Sequence, residues 1–207
     1  MNRKRFAAAA LFFAALALDI LLPRANADAA DEMKRLAALM DWKEGTVVAD
    51  IGAGDGRFAF AAAQIVGSSG KVYATEIDAD KLAKLRAEVA IRHLSNIILL
   101  ESKVADTNLP AACCDAIFLR RVYHHLTRPA DFDATLVRSL KPGGLLAIID
   151  FPPRARLGPV EGVPANRGGH GIPLKIAITE LTAVGLHTSK VVNDWLNDDY
   201  LVLLKKD

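Results

Sequence analysis

Two hydrophobic rhythms take turns along most of this chain. Short apolar runs without polar alternation fall at Lys71–Thr75, Asn96–Leu100, Cys114–Leu119 and Leu145–Ile149, and an earlier one from Val47 ends at Asp50. Runs of this kind predict strands buried on both faces. Between them the apolar positions spread over longer segments, predicting helices over Arg57–Val66, Ala79–His93, Asp131–Leu140 and Pro173–Val184. Asp78 stands where an N-cap is wanted, Pro173 falls in a first turn, and Gly185 stops the last helix. Strands that alternate with helices predict a mostly parallel sheet covered on both faces. Leu186–Val192 and Tyr200–Lys205 are two further strands with no helix between them, which predicts an antiparallel C-terminal hairpin. The expected fold is an α/β sandwich of about seven strands, with short helices ahead of the first.

The chemistry concentrates where the first strand meets the first helix, at Asp50-Ile51-Gly52-Ala53-Gly54-Asp55-Gly56-Arg57. Glycine lets a chain turn sharply there and lie against a ligand. A dinucleotide loop needs glycines at its first, third and sixth positions, and the sixth position from Gly52 is Arg57. A phosphate-binding P-loop needs Gly-Lys-Ser/Thr, which does not follow here. The second strand runs into Glu76, an acid about 20 residues beyond the glycines, where a carboxylate can accept both ribose hydroxyls of a nucleoside.

The pattern Asp-x-Gly-x-Gly-x-Gly resembles motif I of the class I S-adenosylmethionine (SAM)-dependent methyltransferases. Tyr123-His124-His125-Leu126 after the fourth strand and Leu140-Lys141-Pro142-Gly143-Gly144 before the fifth are similar to the same superfamily, and the resemblance runs from about Met33 to the C-terminus. It implies a Rossmann-like seven-stranded sheet and SAM as methyl donor. It also implies that Gly52, Ala53, Gly54 and Gly56 pack against the aminocarboxypropyl end of SAM, with Asp50 organising the loop and meeting the ammonium group. Glu76, with Ile77 beside it, would hold the ribose. Adenine would lie near Ser102, Lys103 and Val104, with Arg120 at the end of the fourth strand completing the cofactor contacts. The chain departs from the family at two places. Ser102-Lys103 stand where many relatives have Gly-Asp, so adenine binding would rest on backbone groups, with Asp106 the nearest carboxylate. Arg121 stands where a small polar or acidic residue is usual, and a cation opposes a sulfonium unless it points away. These departures leave a catalytically degenerate binder of SAM or S-adenosylhomocysteine as the alternative. A nucleotide-dependent oxidoreductase is disfavoured by Arg57.

Methyl transfer from a sulfonium is an in-line displacement, to which alignment of donor and acceptor contributes up to ~7–11 kcal/mol. A base is needed only if the acceptor must lose a proton. Ligands of open α/β sheets bind beyond the carboxyl ends of the strands, which selects Tyr123, His124, Asp150 and His170 as candidates. His125 is expected to pack or cap within its helix. Asn166–Pro173 reads as a lid loop, and Arg154, Arg156 and Arg167 of the same excursion are available to an anionic acceptor. The Asn/Asp-Pro-Pro-Tyr segment of amide and adenine N-methyltransferases is replaced by Arg120-Arg121. That leaves small-molecule or protein acceptors open, and the expected acceptor is a small or lipid-like molecule.

Composition narrows this further. With 207 residues, 52% of them hydrophobic, the chain can bury one ample core. A net charge of +2 without a Lys/Arg stripe gives no electrostatic footprint for nucleic acid. Cys113 and Cys114 are adjacent and not expected to form an ordinary disulfide. Cys114 is expected to be a buried thiol, and no metal ligands are predicted. Arg3-Lys4-Arg5, the apolar run Phe6–Leu18, Pro23 and Ala25-Asn26-Ala27 predict a signal peptide over residues 1–27, leaving an exported domain, periplasmic or secreted, over 28–207. The run is shorter than the ~20 apolar residues of a bilayer span. An uncleaved anchor is the alternative, and the one reading that implies membrane contact.

Overall fold

The strands that the apolar runs predict pair edge to edge into a single sheet in a computed structural model of the protein, which describes residues 28–207. The expected signal segment lies outside the described residues. The elements are helix α1 (28–39), β1 (Val47–Ile51), α2 (Arg57–Val66), β2 (Lys71–Glu76), α3 (Ala79–Ile91), β3 (Ile97–Glu101), β4 (Cys114–Arg120), α4 (Pro129–Ser139), β5 (Leu140–Asp150), α5 (Leu174–Ala183), β6 (Leu186–Val192) and β7 (Tyr200–Lys206). Strand order across the sheet is β3-β2-β1-β4-β5-β7-β6. The first five strands run parallel, and β7 is antiparallel to both β5 and β6. The predicted C-terminal hairpin is thus present, and its second strand wedges between β5 and β6. Among the described residues, no helix is long and apolar enough to cross a membrane.

Strand periodicity builds two cores, because successive residues face opposite sides of a sheet. Val48, Ala74, Phe118 and Ile149 meet α1 and α2 through Met33, Leu36, Ala62 and Val66. Ala49, Ile117, Leu146 and Ile148 meet α4 and α5 through Leu136 and Leu181. Ile51 sits in register with Thr75 on one side and Leu119 on the other, so the carboxyl ends of β1, β2 and β4 share one edge. The strand order reverses between β1 and β4, which opens the crevice where ligands of such sheets bind.

Three expectations need correction. Helix α3 ends at Ile91, short of His93, whose φ of 53° leaves the helical range. Lys141-Pro142-Gly143-Gly144, expected to precede the fifth strand, belongs to β5: Leu140 already pairs with Cys114, and the register shifts before Ala116 meets Leu145. Finally, Cys113 and Cys114 are joined in a vicinal disulfide where β4 begins, so Cys114 is buried but not a free thiol. Extended neighbours point to opposite faces. Here the chain is bent, with Ala112 at φ 46°.

Candidate active site

The glycine loop between β1 and α2 is shaped by its backbone. Gly52, Gly54 and Gly56 all hold left-handed φ values, 71°, 58° and 81°, a region that side chains other than glycine enter only at a cost. The three are not equivalent. A methyl group on Gly52 would strike Val122 at 2.7 Å, and one on Gly56 would run into Leu85 and Phe60. One on Gly54 would meet nothing closer than the Gly52 carbonyl at 4.0 Å. Gly52 and Gly56 are therefore packing glycines, whereas Gly54 faces open space.

The loop is tied to the end of β2. The Ala53 N–H donates to the Thr75 carbonyl at 2.8 Å, and the Gly54 N–H to Glu76 Oε2 at 2.9 Å. Oε1 of Glu76 accepts from the Ile77 and Asp78 N–H groups. Asp78 caps α3 as expected, accepting from Asp80 and Lys81. Asp50 is almost completely buried beside this brace, and its Oδ2 has no partner among the described residues. Burial, aided by the charges of Asp55 and Glu76, pushes its carboxyl up to about 8, against the pull of the Ala59 N–H and Arg120.

Asp50, Gly52, Ala53 and Gly54 line a cleft of about 600 Å³, whose far wall is Phe58, Leu85, Arg120 and Arg121. A recess of about 190 Å³ opens beside it, lined by Ile77, Ser102, Lys103, Val104, Val122, His125, Leu126 and Phe132. Ile77 and Val104 are 53% and 50% exposed. Two apolar side chains left so open at the mouth of one recess offer faces for a flat, apolar ligand group. Asp106, the expected substitute for the adenine-binding acid, instead meets Arg138 at 2.9 Å, and this contact lowers its pKa. It does not line the recess.

Arg120 and Arg121 leave β4 in different directions. Arg120 Nε donates to both oxygens of Glu32 at 3.0 and 2.8 Å, and its guanidinium lies over Phe58. Trp195 Nε1 shares Glu32, which fastens α1 to the cleft. Arg121, at φ 55°, turns its guanidinium onto Asp199, with Nε to Oδ2 at 2.8 Å and Nη2 to Oδ1 at 2.9 Å. Its charge is thereby matched by a fully buried carboxylate. Glu32, Trp195 and Asp199 carry no local signal in the sequence, since each acts on a residue far away in the chain.

The candidates beyond β4 separate into two groups. Tyr123 is fully buried, its hydroxyl 2.9 Å from Asp133 Oδ2 and 3.0 Å from Glu180 Oε2. Burial and these two carboxylates push its pKa far up, and burial holds Asp133 up at about 7. Arg167, expected in a lid, is 1% exposed; it grips Glu180 and donates to the Leu126 and Tyr123 carbonyls. Both residues belong to a buried network that lines neither the cleft nor the recess. His125, expected to pack or cap within its helix, ends the 3-10 turn Tyr123–His125, is exposed, and forms a wall of the recess.

His124, His125 and His170 form the other group. His124 Nδ1 lies 2.8 Å from Asp150 Oδ1, while its buried Nε2 has no partner among the described residues. The ring centroids of His125 and His170 lie 4.0 and 5.3 Å from that of His124. Burial and the two neighbouring imidazoles lower His125 to about 4, so it is neutral near pH 7. Asp150 at the end of β5 orients His124 within this cluster.

Comparison with known proteins fits this geometry. Residues 49–148 match the family model described as a methyltransferase domain. The chain is 28% identical over 119 residues to the ubiquinone/menaquinone biosynthesis C-methyltransferase UbiE of Francisella philomiragia, and 29% over 121 residues to that of Azotobacter vinelandii. Each match covers 57% of this chain and 48% of the relative, so the chain spans about half the length of these curated relatives. Among solved structures, a SAM-dependent methyltransferase from Aquifex aeolicus superposes with a TM-score of 0.72 at 26% identity, covering 84% of this chain and 89% of that one. The fold and site define a Rossmann-like methyltransferase domain. Over residues 49–148 the chain is similar to the SAM-dependent methyltransferases, whose fold it shares.

Proposed function

We propose that this protein transfers a methyl group from SAM to a small or lipid-like acceptor that enters beyond the carboxyl ends of β4 and β5. The observation that carries the reading is the open space at Gly54, set between the unpartnered Asp50 carboxyl and Glu76. The backbone at Gly52–Gly54 lets an aminoacyl chain approach closely, and Asp50, once ionised, meets its ammonium group. Glu76 holds the loop and has acceptor capacity left for a ribose hydroxyl. Ile77 and Val104 flank the adenine. Bound SAM supplies an electrophilic methyl group, and the residues of this chain position it. Arg121 lines the same cleft, but its charge is matched by Asp199 and does not face the sulfonium uncompensated. An acceptor of lipid-like character accords with the curated relatives, named for C-methylation in quinone biosynthesis.

Titration calorimetry with SAM, S-adenosylhomocysteine, NAD and NADP tests the cofactor, followed by transfer of label from methyl-labelled SAM to extract fractions. Binding of SAM and its demethylated product, with labelled acceptor recovered, is expected. Binding of NAD without SAM would overturn the assignment. SAM binding with no transfer to any fraction would leave the chain a binder without activity.

A further inference from the structure

We propose that His124, His125 and His170 form a binding site for a first-row divalent transition metal, with zinc as the reference ion, on the wall of the proposed cofactor recess. One ring nitrogen from each residue lies within 4.8 Å of the other two. Tetrahedral zinc with Zn–N of about 2.0–2.1 Å sets its ligand atoms about 3.3 Å apart, so the rings need to close in by as much as about 1.5 Å. Two of them can. His125 is exposed at the end of a single 3-10 turn, and His170 lies between Gly169 and Gly171, both with positive φ.

The third imidazole is already prepared. Asp150 engages His124 Nδ1 at 2.8 and 3.1 Å and also accepts the His124 backbone N–H. A carboxylate against Nδ1 fixes the proton there and leaves the Nε2 lone pair bare. This is the carboxylate–histidine arrangement that orients metal-binding imidazoles. Nε2 is buried and, among the described residues, without a hydrogen-bond partner, a condition that native structures rarely leave unexplained. A metal ion supplies the missing partner, and Asp150 supplies negative charge behind it. Three imidazoles suit zinc, copper, nickel or iron, and three protein ligands leave a coordination position open. His125 also lines the recess with Val122 and Leu126. An oxygen or nitrogen of a ligand in that recess is therefore the natural occupant of the open position.

The inference stands on the three rings and Asp150, and does not depend on the methyl-donor reading. The test uses the untagged chain, stripped with a chelator and titrated with zinc or cobalt(II) in the absence of SAM. One ion per chain should bind, and cobalt(II) should develop the visible bands of a low-coordinate nitrogen site. His125→Ala and His170→Ala should each weaken binding by at least about 100-fold, and Asp150→Asn by about 10–100-fold, the usual cost of losing such an outer partner. His93→Ala and His187→Ala serve as controls and should change nothing, since His93 is exposed at the end of α3 and His187 pairs with Asp207 on β6. Circular dichroism keeps loss of fold apart from loss of ligand, and His170→Ala, in a loop, is the variant best placed to stay folded. Absence of stoichiometric metal in wild type, or binding unchanged in folded His125→Ala and His170→Ala, overturns the proposal. SAM calorimetry on the same variants reports separately on the cofactor reading.

Discussion

The Gly54 amide donates to Oε2 of Glu76 at 2.9 Å, joining the loop after β1 to the acid that closes β2. With Ile77 and Asp78 on Oε1, this carboxylate organises three backbone N–H groups without any ligand. Its role is therefore double. Glu76→Ala is expected to weaken SAM binding by about 1.5–3 kcal/mol, the range for hydrogen bonds to a charged group, and also to lower the melting temperature of the ligand-free protein. Glu76→Gln keeps one carbonyl acceptor and should recover more stability than affinity. Calorimetry and thermal melts on both variants check this, and unchanged affinity in either would place the ribose elsewhere.

The glycine loop makes a second, position-specific prediction. Gly54→Ala and Gly54→Val should fold, at a cost of about 1–2 kcal/mol for a side chain in the left-handed region, and SAM binding should be lost in the valine variant. Gly56→Ala should be far less stable, because its methyl group collides with Leu85 and Phe60 in the core. Urea melts paired with SAM titrations separate the two outcomes. Full SAM affinity in Gly54→Val would show that the open space is not the ligand's.

Asp50 predicts a pH dependence. Its folded-state pKa, about 8, lies above the ordinary carboxylate value near 4. The folded ligand-free state therefore binds the extra proton, and Asp50's contribution to stability is full below about pH 4 and lost as pH rises through 8. An ammonium ligand needs the ionised form. Affinity for S-adenosylhomocysteine should thus rise as pH increases toward 8, with a proton released on binding. Calorimetry in buffers of different ionisation enthalpy measures that proton. Asp50→Asn should abolish both the release and the rising limb, and a wild-type affinity that is flat between pH 6 and pH 8 would remove Asp50 from the ammonium contact.

Tyr123 and Arg167 predict losses of stability and not of cofactor affinity. Arg167→Ala leaves Glu180 facing Tyr123 without its cation and should cost about 3–5 kcal/mol, as breaking a buried ion pair does. Tyr123→Phe should cost about 1–3 kcal/mol, the penalty of leaving the Asp133 carboxyl without its partner. SAM affinity of folded Tyr123→Phe should match wild type. A selective fall in kcat with unchanged stability would return the phenol to the reaction.

The order and type of elements were legible in the chain because the determinants are local. Apolar period, the Asp78 cap and Gly185 act within a few residues, and the start of β5 moved because long-range pairing intervenes there, Leu140 against Cys114. The proposed cofactor side of the site was legible for a related reason. The glycine loop and Glu76 sit at consecutive strand ends, and a parallel sheet brings such ends to one edge. Asp106 shows the limit of that logic: its number places it near the recess, but Arg138 on α4 claims it.

What this sequence determined by itself is the α/β alternation and the loop Asp50–Gly56 with Glu76, because hydrophobic period and backbone freedom are properties of short stretches. Only the tertiary structure decided that β7 enters between β5 and β6, that Arg121 is neutralised by Asp199, and that Arg167 is buried against Glu180. It also decided that His170 returns to within 5.3 Å of His124, ring to ring. Each of these joins side chains distant in sequence. Their pairing depends on how whole elements pack against both faces of the sheet, and the residues near each partner carry no trace of it.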